Sequence, residues 1–160
     1  MKDQANILIV DDEEVVCLSY FRSLAKADYQ AKVARGGNEA LRIMEQRPFD
    51  VVFLDLRMPD LDGIEVLKTI RQKWPECEVV IITGYPTIQT AKEAVRLGAY
   101  HYLVKPVSPE DVVKAARNAM THKSWALRKD WPAMNSMYDL ENRAWIDENP
   151  FQTARHGGKS

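Results

Sequence analysis

Apolar residues follow two different rhythms along most of the chain. Short continuous runs of Val, Ile and Leu, such as residues 79–82, alternate with longer segments in which apolar residues recur every three or four positions. Continuous runs are typical of strands covered on both faces, and the three-to-four spacing is typical of amphipathic helices. Five segments of each kind lie between residues 6 and about 122. This alternation predicts an α/β domain with a parallel sheet.

The predicted strands lie at residues 7–10, 30–34, 51–54, 78–82 and 100–104. Each of the first four predicted helices is expected to bury one apolar face. These faces contain Val15, Val16, Leu18, Phe21 and Leu24 in the first helix, Ala40, Leu41 and Met44 in the second, Ile64, Val66, Leu67 and Ile70 in the third, and Ile88, Ala91, Val95 and Leu97 in the fourth. The fifth helix has a clear start, because Ser108 can cap it and Pro109 suits its first turn.

The pattern changes near the C-terminus. We predict one domain over residues 1–122 and a tail over residues 123–160, in which strands and helices no longer alternate. Ala133, Met137, Leu140 and Ala144 follow a 4-3-4 spacing, which predicts one amphipathic helix at about 133–148. The end of the tail is predicted to be disordered.

Composition excludes several classes of protein. The chain has 22 Lys and Arg against 23 Asp and Glu, so it lacks the basic patch that nucleic-acid binding requires. It has neither an apolar run long enough to span a bilayer nor a signal-peptide pattern, which predicts a cytoplasmic protein. Cys17 and Cys77 have no metal-binding or disulfide-framework spacing and are expected to be buried thiols.

Chemically reactive side chains follow four of the five predicted strands. Asp11 and Asp12 follow the first strand, Asp55 the third, Thr83 the fourth and Lys105 the fifth. In an open parallel sheet, sites form beyond the carboxyl ends of the strands, so these side chains are expected to meet at one edge. Three converging carboxylates require a cation between them. Oxygen ligands favour Mg²⁺ or Mn²⁺ over zinc, and an aspartate there can accept a phosphoryl group as an acyl phosphate.

These residues carry a family resemblance. The Asp11-Asp12 doublet, the segment DLRMPDLDG at residues 55–63, Thr83-Gly84, and YLVKP at residues 102–106 resemble the receiver domain of two-component response regulators. Residues 82–88 and 98–106 are most similar to receivers of the nitrogen-regulatory class of transcriptional activators. The resemblance implies a flavodoxin-like, doubly wound, five-stranded parallel sheet with strand order 2-1-3-4-5.

The resemblance also implies roles for particular residues. Asp55 would accept a phosphoryl group from a histidine kinase or phosphotransfer protein, and Lys105 and Thr83 would contact that group. Asp11, Asp12, Asp55 and the backbone carbonyl of Arg57 would hold the divalent metal.

Further roles concern switching and lifetime. Thr83 and Tyr102 would form a coupled switch, with the aromatic ring moving inward upon phosphorylation and changing the surface of helix 4, strand 5 and helix 5 for a protein partner. Arg57 and Tyr85 would set the lifetime of the acyl phosphate. The Lys105–Pro106 peptide bond is a candidate for the cis form.

Other functions are weighed against this one. A flavin-binding protein is disfavoured because the acidic loop at residues 11–14 would repel a phosphate. A phosphatase or phosphomutase with an aspartate nucleophile would place that nucleophile at the end of strand one and a second acid two residues later, where this chain has Glu13. The remaining alternative is a non-phosphorylated receiver that serves as a constitutive interaction or dimerisation module. We expect a signalling protein rather than an enzyme, a stand-alone receiver that acts through an unidentified protein target or as a phosphorelay shuttle. The rival is a fragment or receiver-only remnant of a protein with an output domain, and either form can act as a homodimer.

Overall fold

Five strands and five helices alternate along the part of the chain that the computed structural model describes, residues 4–126. In chain order the elements are β1 (Asn6–Val10), α1 (Glu14–Lys26), β2 (Gln30–Ala34), α2 (Gly37–Gln46), β3 (Val51–Leu54), α3 (Gly63–Lys73), β4 (Glu78–Thr83), α4 (Ile88–Arg96), β5 (His101–Val104) and α5 (Pro109–Ala126). Each predicted strand is present to within one residue. The predicted tail helix at about 133–148 lies outside the described residues, and α5 continues four residues past the predicted domain boundary at 122.

The strands form one parallel sheet in the order β2-β1-β3-β4-β5. The order confirms the predicted doubly wound, flavodoxin-like fold. Its register places Val10 beside Leu54 and Thr83 beside Val104. The residues that follow these strand ends therefore come together at the carboxyl edge of the sheet.

Alternate residues of each strand point to opposite faces of the sheet, which produces two apolar cores. Leu8, Val52 and Ile81 pack on one face, against residues of α2, α3 and α4. Ile7, Phe53 and Val80 pack on the other face, against α1 and α5. Because both faces are covered, the strands consist of continuous apolar runs rather than alternating ones.

The predicted buried face of α1 is wrong in part. Its buried residues are Cys17, Tyr20 and Leu24, whereas Val15, Leu18 and Phe21 are exposed. Both sets have a spacing of three or four, so the pattern alone permits either stripe, and packing against α5 decides between them. On α4, Ile88 is likewise exposed, whereas Ala91 is buried as predicted and Ala94, which was not predicted, is buried beside it.

Local capping fixes the loops that border the carboxyl edge. The Asp62 carboxylate accepts a hydrogen bond from the Ile64 backbone N–H at 2.9 Å and so begins α3, and Ser108 accepts one from Asp111 at 3.1 Å near the start of α5, as predicted. A Cβ on Gly63 would lie 2.4 Å from the Leu56 Cα, so only glycine permits the close approach of α3 to this loop. None of the helices in the described range is long and apolar enough to span a membrane.

Candidate functional site

Three aspartates meet at the carboxyl edge of the sheet. Asp11 and Asp12 follow β1 and Asp55 follows β3, and each offers a carboxylate oxygen within 4.8 Å of the others. Asp11 and Asp55 are buried, and Asp12 is half-buried. Burial at this distance is costly for like charges, so the arrangement favours a bound cation.

The ammonium of Lys105 faces three carboxylates. Its Nζ lies 2.8 Å from Asp11 Oδ2, 3.0 Å from Glu13 Oε1 and 3.5 Å from Asp55 Oδ2. Lys105 thus pairs with Asp55, and its two shorter contacts are with Asp11 and Glu13. Lys105 stands in this position because its backbone N–H donates to the Thr83 carbonyl at 2.8 Å, which ties the ends of β4 and β5 together. The Lys105–Pro106 peptide bond that follows is cis.

The electrostatics of the site follow from this crowding. Burial raises the pKa of Asp55 from 3.8 to about 6, with the neighbouring Lys105 opposing the change and Asp11 adding to it. Burial would lower the pKa of Lys105, but hydrogen bonding to Asp11 and the charge of Asp55 outweigh it and raise that pKa. The lysine is therefore a permanent cation, and Asp55 is mostly ionised at neutral pH.

A cleft of about 310 Å³ opens above these groups. Its lining residues are Asp12, Glu13, Asp55, Arg57, Gly84, Tyr85 and Lys105. Across the cleft mouth the Arg57 guanidinium lies 4.1 Å from the centre of the Tyr85 ring, a cation–π contact. The two side chains that the resemblance assigns to phosphoryl lifetime thus touch one another beside Asp55.

Thr83 ends β4 but its side chain is fully buried and does not line the cleft. Its hydroxyl oxygen accepts a hydrogen bond from the Tyr85 backbone N–H at 3.1 Å. The last residue of β4 is therefore hydrogen bonded to the loop that leads from β4 to α4.

Tyr102 lies inside the protein, with a side chain that is 1% exposed. Its hydroxyl is 2.9 Å from the Thr90 hydroxyl, and Thr90 and Thr87 form the capping box that begins α4. Sequence reasoning predicted an aromatic switch at Tyr102 but missed its partner on α4. The signal that was available is the Thr-x-x-Thr spacing at residues 87–90 before an apolar helix.

Backbone contacts hold the acidic loop in place, and sequence reasoning missed all of them. The Asp11 carboxylate accepts from the Glu13 N–H at 2.9 Å, and the Asp11 carbonyl accepts from the Cys17 thiol at 3.2 Å. The Arg35 guanidinium donates to the Asp12 carbonyl at 2.6 Å. Cys17 and Cys77 are free and buried, as expected.

The residues present fit a hard divalent metal. Asp11, Asp12 and Asp55 supply only oxygen, which is the ligand set that Mg²⁺ and Mn²⁺ prefer. The Arg57 backbone also borders the site, since its N–H lies 3.4 Å from Asp55 Oδ1. The geometry thus combines a metal-type carboxylate set, a fixed ammonium and an open cleft over one aspartate.

The comparisons with known proteins agree with this geometry. The family description "Response regulator receiver domain" matches residues 7–117. The chain belongs to the response regulator receiver family. Among curated relatives, RegA, the photosynthetic apparatus regulatory protein of Rhodobacter capsulatus, is 31% identical over 94% of this chain and 83% of its own length. An NtrX-like response regulator of Rickettsia bellii is 32% identical over 94% of this chain but only 34% of its own length.

Solved receiver structures show the same fold. A CheY-like receiver domain protein of Methanospirillum hungatei has a TM-score of 0.75 and 26% identity, covering 76% of this chain and 98% of that one. NtrX of Brucella abortus, solved in complex with ADP, has a TM-score of 0.72 and 31% identity, covering 76% of this chain and 28% of that one. The chain therefore spans about a third of the NtrX-type proteins it resembles, and most of RegA.

The predicted family is confirmed, and with it a signalling domain of two-component systems. The roles assigned to Asp11, Asp12, Asp55, Thr83 and Lys105 remain predictions, although all five residues stand at the predicted strand ends. The roles of Arg57, Tyr85 and Tyr102 remain predictions in the same way.

Proposed function

We propose that this receiver accepts a phosphoryl group on Asp55 from a histidine kinase or a phosphotransfer protein. The observation that carries the proposal is the position of Asp55, a buried carboxylate at the floor of a cleft, within 4.8 Å of the two other acids and 3.5 Å from the Lys105 ammonium. The alternative, a non-phosphorylated interaction module, would not need an ammonium and a metal-type acid set around one aspartate.

The proposed step is a transfer between two nucleophiles. A carboxylate oxygen of Asp55 forms a P–O bond as the P–N bond of the donor phosphohistidine breaks, and the electron pair of that bond stays on the imidazole nitrogen. Lys105 supplies positive charge to a phosphoryl oxygen. The Thr83 hydroxyl, which is buried and does not line the cleft in this structure, would shift toward the phosphoryl group and donate to another oxygen. Asp55 must be ionised to attack, which its pKa of about 6 allows at neutral pH.

Asp11, Asp12, Asp55 and the Arg57 carbonyl would hold Mg²⁺ or Mn²⁺. When bound, the metal neutralises negative charge on the carboxylates and the phosphoryl oxygens. Because three acids share this edge of the sheet, the incoming anion would otherwise meet strong repulsion.

The proposed output is a change in the surface of α4, β5 and α5. Tyr102 joins β5 to the capping box of α4 through its contact with Thr90. A shift of Thr83 toward the phosphoryl group would alter the loop from β4 to α4, which ends at that capping box. The Tyr102 ring is already inside, so phosphorylation would raise the population of this arrangement rather than create it. The partner is a downstream protein or a second copy of this chain.

Intact-mass spectrometry tests the proposal. The protein is incubated with acetyl phosphate, with and without Mg²⁺, alongside Asp55→Asn, and its size is followed by size-exclusion light scattering. We expect a gain of one phosphoryl mass that requires Mg²⁺ and is abolished in Asp55→Asn.

Two outcomes have clear meanings. A mass gain that persists in Asp55→Asn would place the phosphoryl group elsewhere, and no gain in the wild type would leave the constitutive-module alternative. A size increase that accompanies the mass gain would identify dimerisation as the output.

A further inference from the structure

We propose that Glu13 is a positioning residue that competes with the phosphoryl group for Lys105 and thereby weakens phosphoryl binding in the resting protein. The inference rests on the proposed function. Three contacts carry it, namely those of the Lys105 ammonium with Asp11, Glu13 and Asp55.

A lysine ammonium has three N–H donors and here faces three carboxylates. The nearer two are Asp11 and Glu13, at 2.8 and 3.0 Å, and Asp55 is farther away at 3.5 Å. To donate to a phosphoryl oxygen on Asp55, Lys105 must release one carboxylate.

Burial indicates which carboxylate is released. The side chains of Asp11 and Asp55 are 4% and 5% exposed, whereas that of Glu13 is 60% exposed. A buried carboxylate that loses its cation pays a large desolvation cost, while an exposed one regains water. Asp11 also belongs to the acid cluster that fits a metal, and Glu13 does not. Glu13 is therefore the partner that Lys105 gives up most easily.

The start of α1 offers Glu13 a second position. Glu13 occupies the N-cap of α1, but its side chain makes no capping hydrogen bond. By contrast, Asp62 and Thr87 use their side chains to cap α3 and α4. The Glu13 carboxylate points instead to Lys105, and upon release it can interact with the positive end of its own helix. The Glu13 carboxylate therefore has a second favourable position, at the N-terminus of α1, once Lys105 releases it.

Beryllofluoride, a stable mimic of the phosphoryl group, measures this competition at equilibrium. The wild type, Glu13→Gln and Glu14→Gln are titrated at saturating Mg²⁺, and the backbone amide of Thr83 is followed by NMR. Glu14 is the matched control, because it carries the same charge one position later and is exposed. The same three proteins are also prepared with Lys105→Met.

We expect Glu13→Gln to lower the half-saturating concentration about two- to fivefold, the range expected for loss of an exposed ion pair. Glu14→Gln should match the wild type. The gain should disappear in the Lys105→Met background, because Glu13 acts through the lysine. In the unliganded protein, the side-chain resonances of Lys105 should shift in Glu13→Gln and stay in place in Glu14→Gln.

Other outcomes separate the two proposals. Equal gains from both glutamine variants, or a gain that persists with Lys105→Met, would mean that only net charge matters and would overturn the inference. Unchanged affinity and unchanged Lys105 resonances in Glu13→Gln would also overturn it. If the wild type binds no beryllofluoride, the proposed function fails, and the competition fails with it.

Discussion

At the amino end of the sheet two acids each face one base on α5, whereas at the carboxyl end several acids share Lys105. Glu78 Oε2 lies 3.0 Å from His122 Nδ1, and Asp50 Oδ1 lies 2.8 Å from Lys123 Nζ. Both bases are on α5, so the two pairs fasten the last helix to β4 and to the start of β3.

The carboxyl end has the opposite balance. Asp11, Glu13 and Asp55 all face Lys105, and Asp12 adds a further carboxylate. One-to-one contacts between acids and bases at the amino end hold α5 against the sheet, and excess negative charge at the carboxyl end favours a bound cation. The same side-chain types therefore pair with single bases at one end of the sheet and, under the proposed function, bind a cation at the other.

The largest expected effect is at the amino end. Glu78→Ala should lower the free energy of unfolding by about 3–4 kcal/mol, because it removes the carboxylate that buried His122 faces and leaves a cavity. Urea denaturation at pH 7 measures this change. Glu76→Ala, an exposed position two residues earlier, should change stability by less than about 0.5 kcal/mol. Equal losses in both variants would contradict the structural role of the pair.

Asp55→Asn should act in the opposite direction and stabilise the protein. In the wild type the folded-state pKa of Asp55 is about 6, against 3.8 for the free group, so the ionised form costs up to about 3 kcal/mol at neutral pH. The neutral amide avoids that cost. Urea denaturation at pH 7 without divalent metal should therefore show a gain of about 2–3 kcal/mol.

The stability difference between Asp55→Asn and the wild type should depend on pH. As pH falls through about 6, the folded wild type takes up a proton at Asp55 before the unfolded chain does, so the wild type regains stability. The difference between Asp55→Asn and the wild type should shrink between pH 7 and 4. A constant difference across that range would show that ionisation of Asp55 is not its cause.

The stabilisation by divalent metal should depend on the carboxyl end of the sheet and not on the amino end. At ten times its dissociation constant, Mg²⁺ should stabilise the wild type by about 1.4 kcal/mol, because it binds the folded acid cluster. Thermal unfolding with and without Mg²⁺ measures the increment. Glu78→Ala should keep the full increment and Asp11→Asn should lose most of it. An increment that survives in Asp11→Asn would place the metal elsewhere.

The smallest effect on stability is expected from Arg57 and Tyr85. Both side chains are exposed, so alanine at both positions should change the free energy of unfolding by less than about 0.5 kcal/mol. If their contact shields the acyl phosphate from water, the double variant should lose the phosphoryl group several-fold faster, as intact mass over time would show. An unchanged decay rate would refute the shielding role.

Sequence patterns predicted the sheet well because its strands are buried on both faces. The predicted strands at 30–34 and 51–54 match β2 and β3 residue for residue. The same patterns predicted the buried face of α1 less well, because its thirteen residues contain two apolar stripes of helical spacing. Cys17 and Tyr20 are buried instead of Leu18 and Phe21, since only the position of α5 determines which stripe faces inward.

Candidate site residues could be predicted because they are defined by their place after a strand. Asp11, Asp55 and Lys105 are recognisable by that position alone, together with the parallel order of the strands. The partners of other strand residues, such as Tyr102 and Glu78, were not predictable in this way. Thr90 as the partner of Tyr102, and His122 as the partner of Glu78, lie on helices whose rotation and distance depend on packing.

The sequence by itself determined which chemical groups stand at the carboxyl edge, because parallel strands bring their ends together whatever the details of packing. Only the tertiary structure decided how those groups share their charges. Lys105 and Glu13 are 92 positions apart, and they meet because the parallel register of β1, β3, β4 and β5 brings the residues after β1 and β5 to one edge of the sheet. That contact depends on ångström distances between packed elements, which no local pattern encodes.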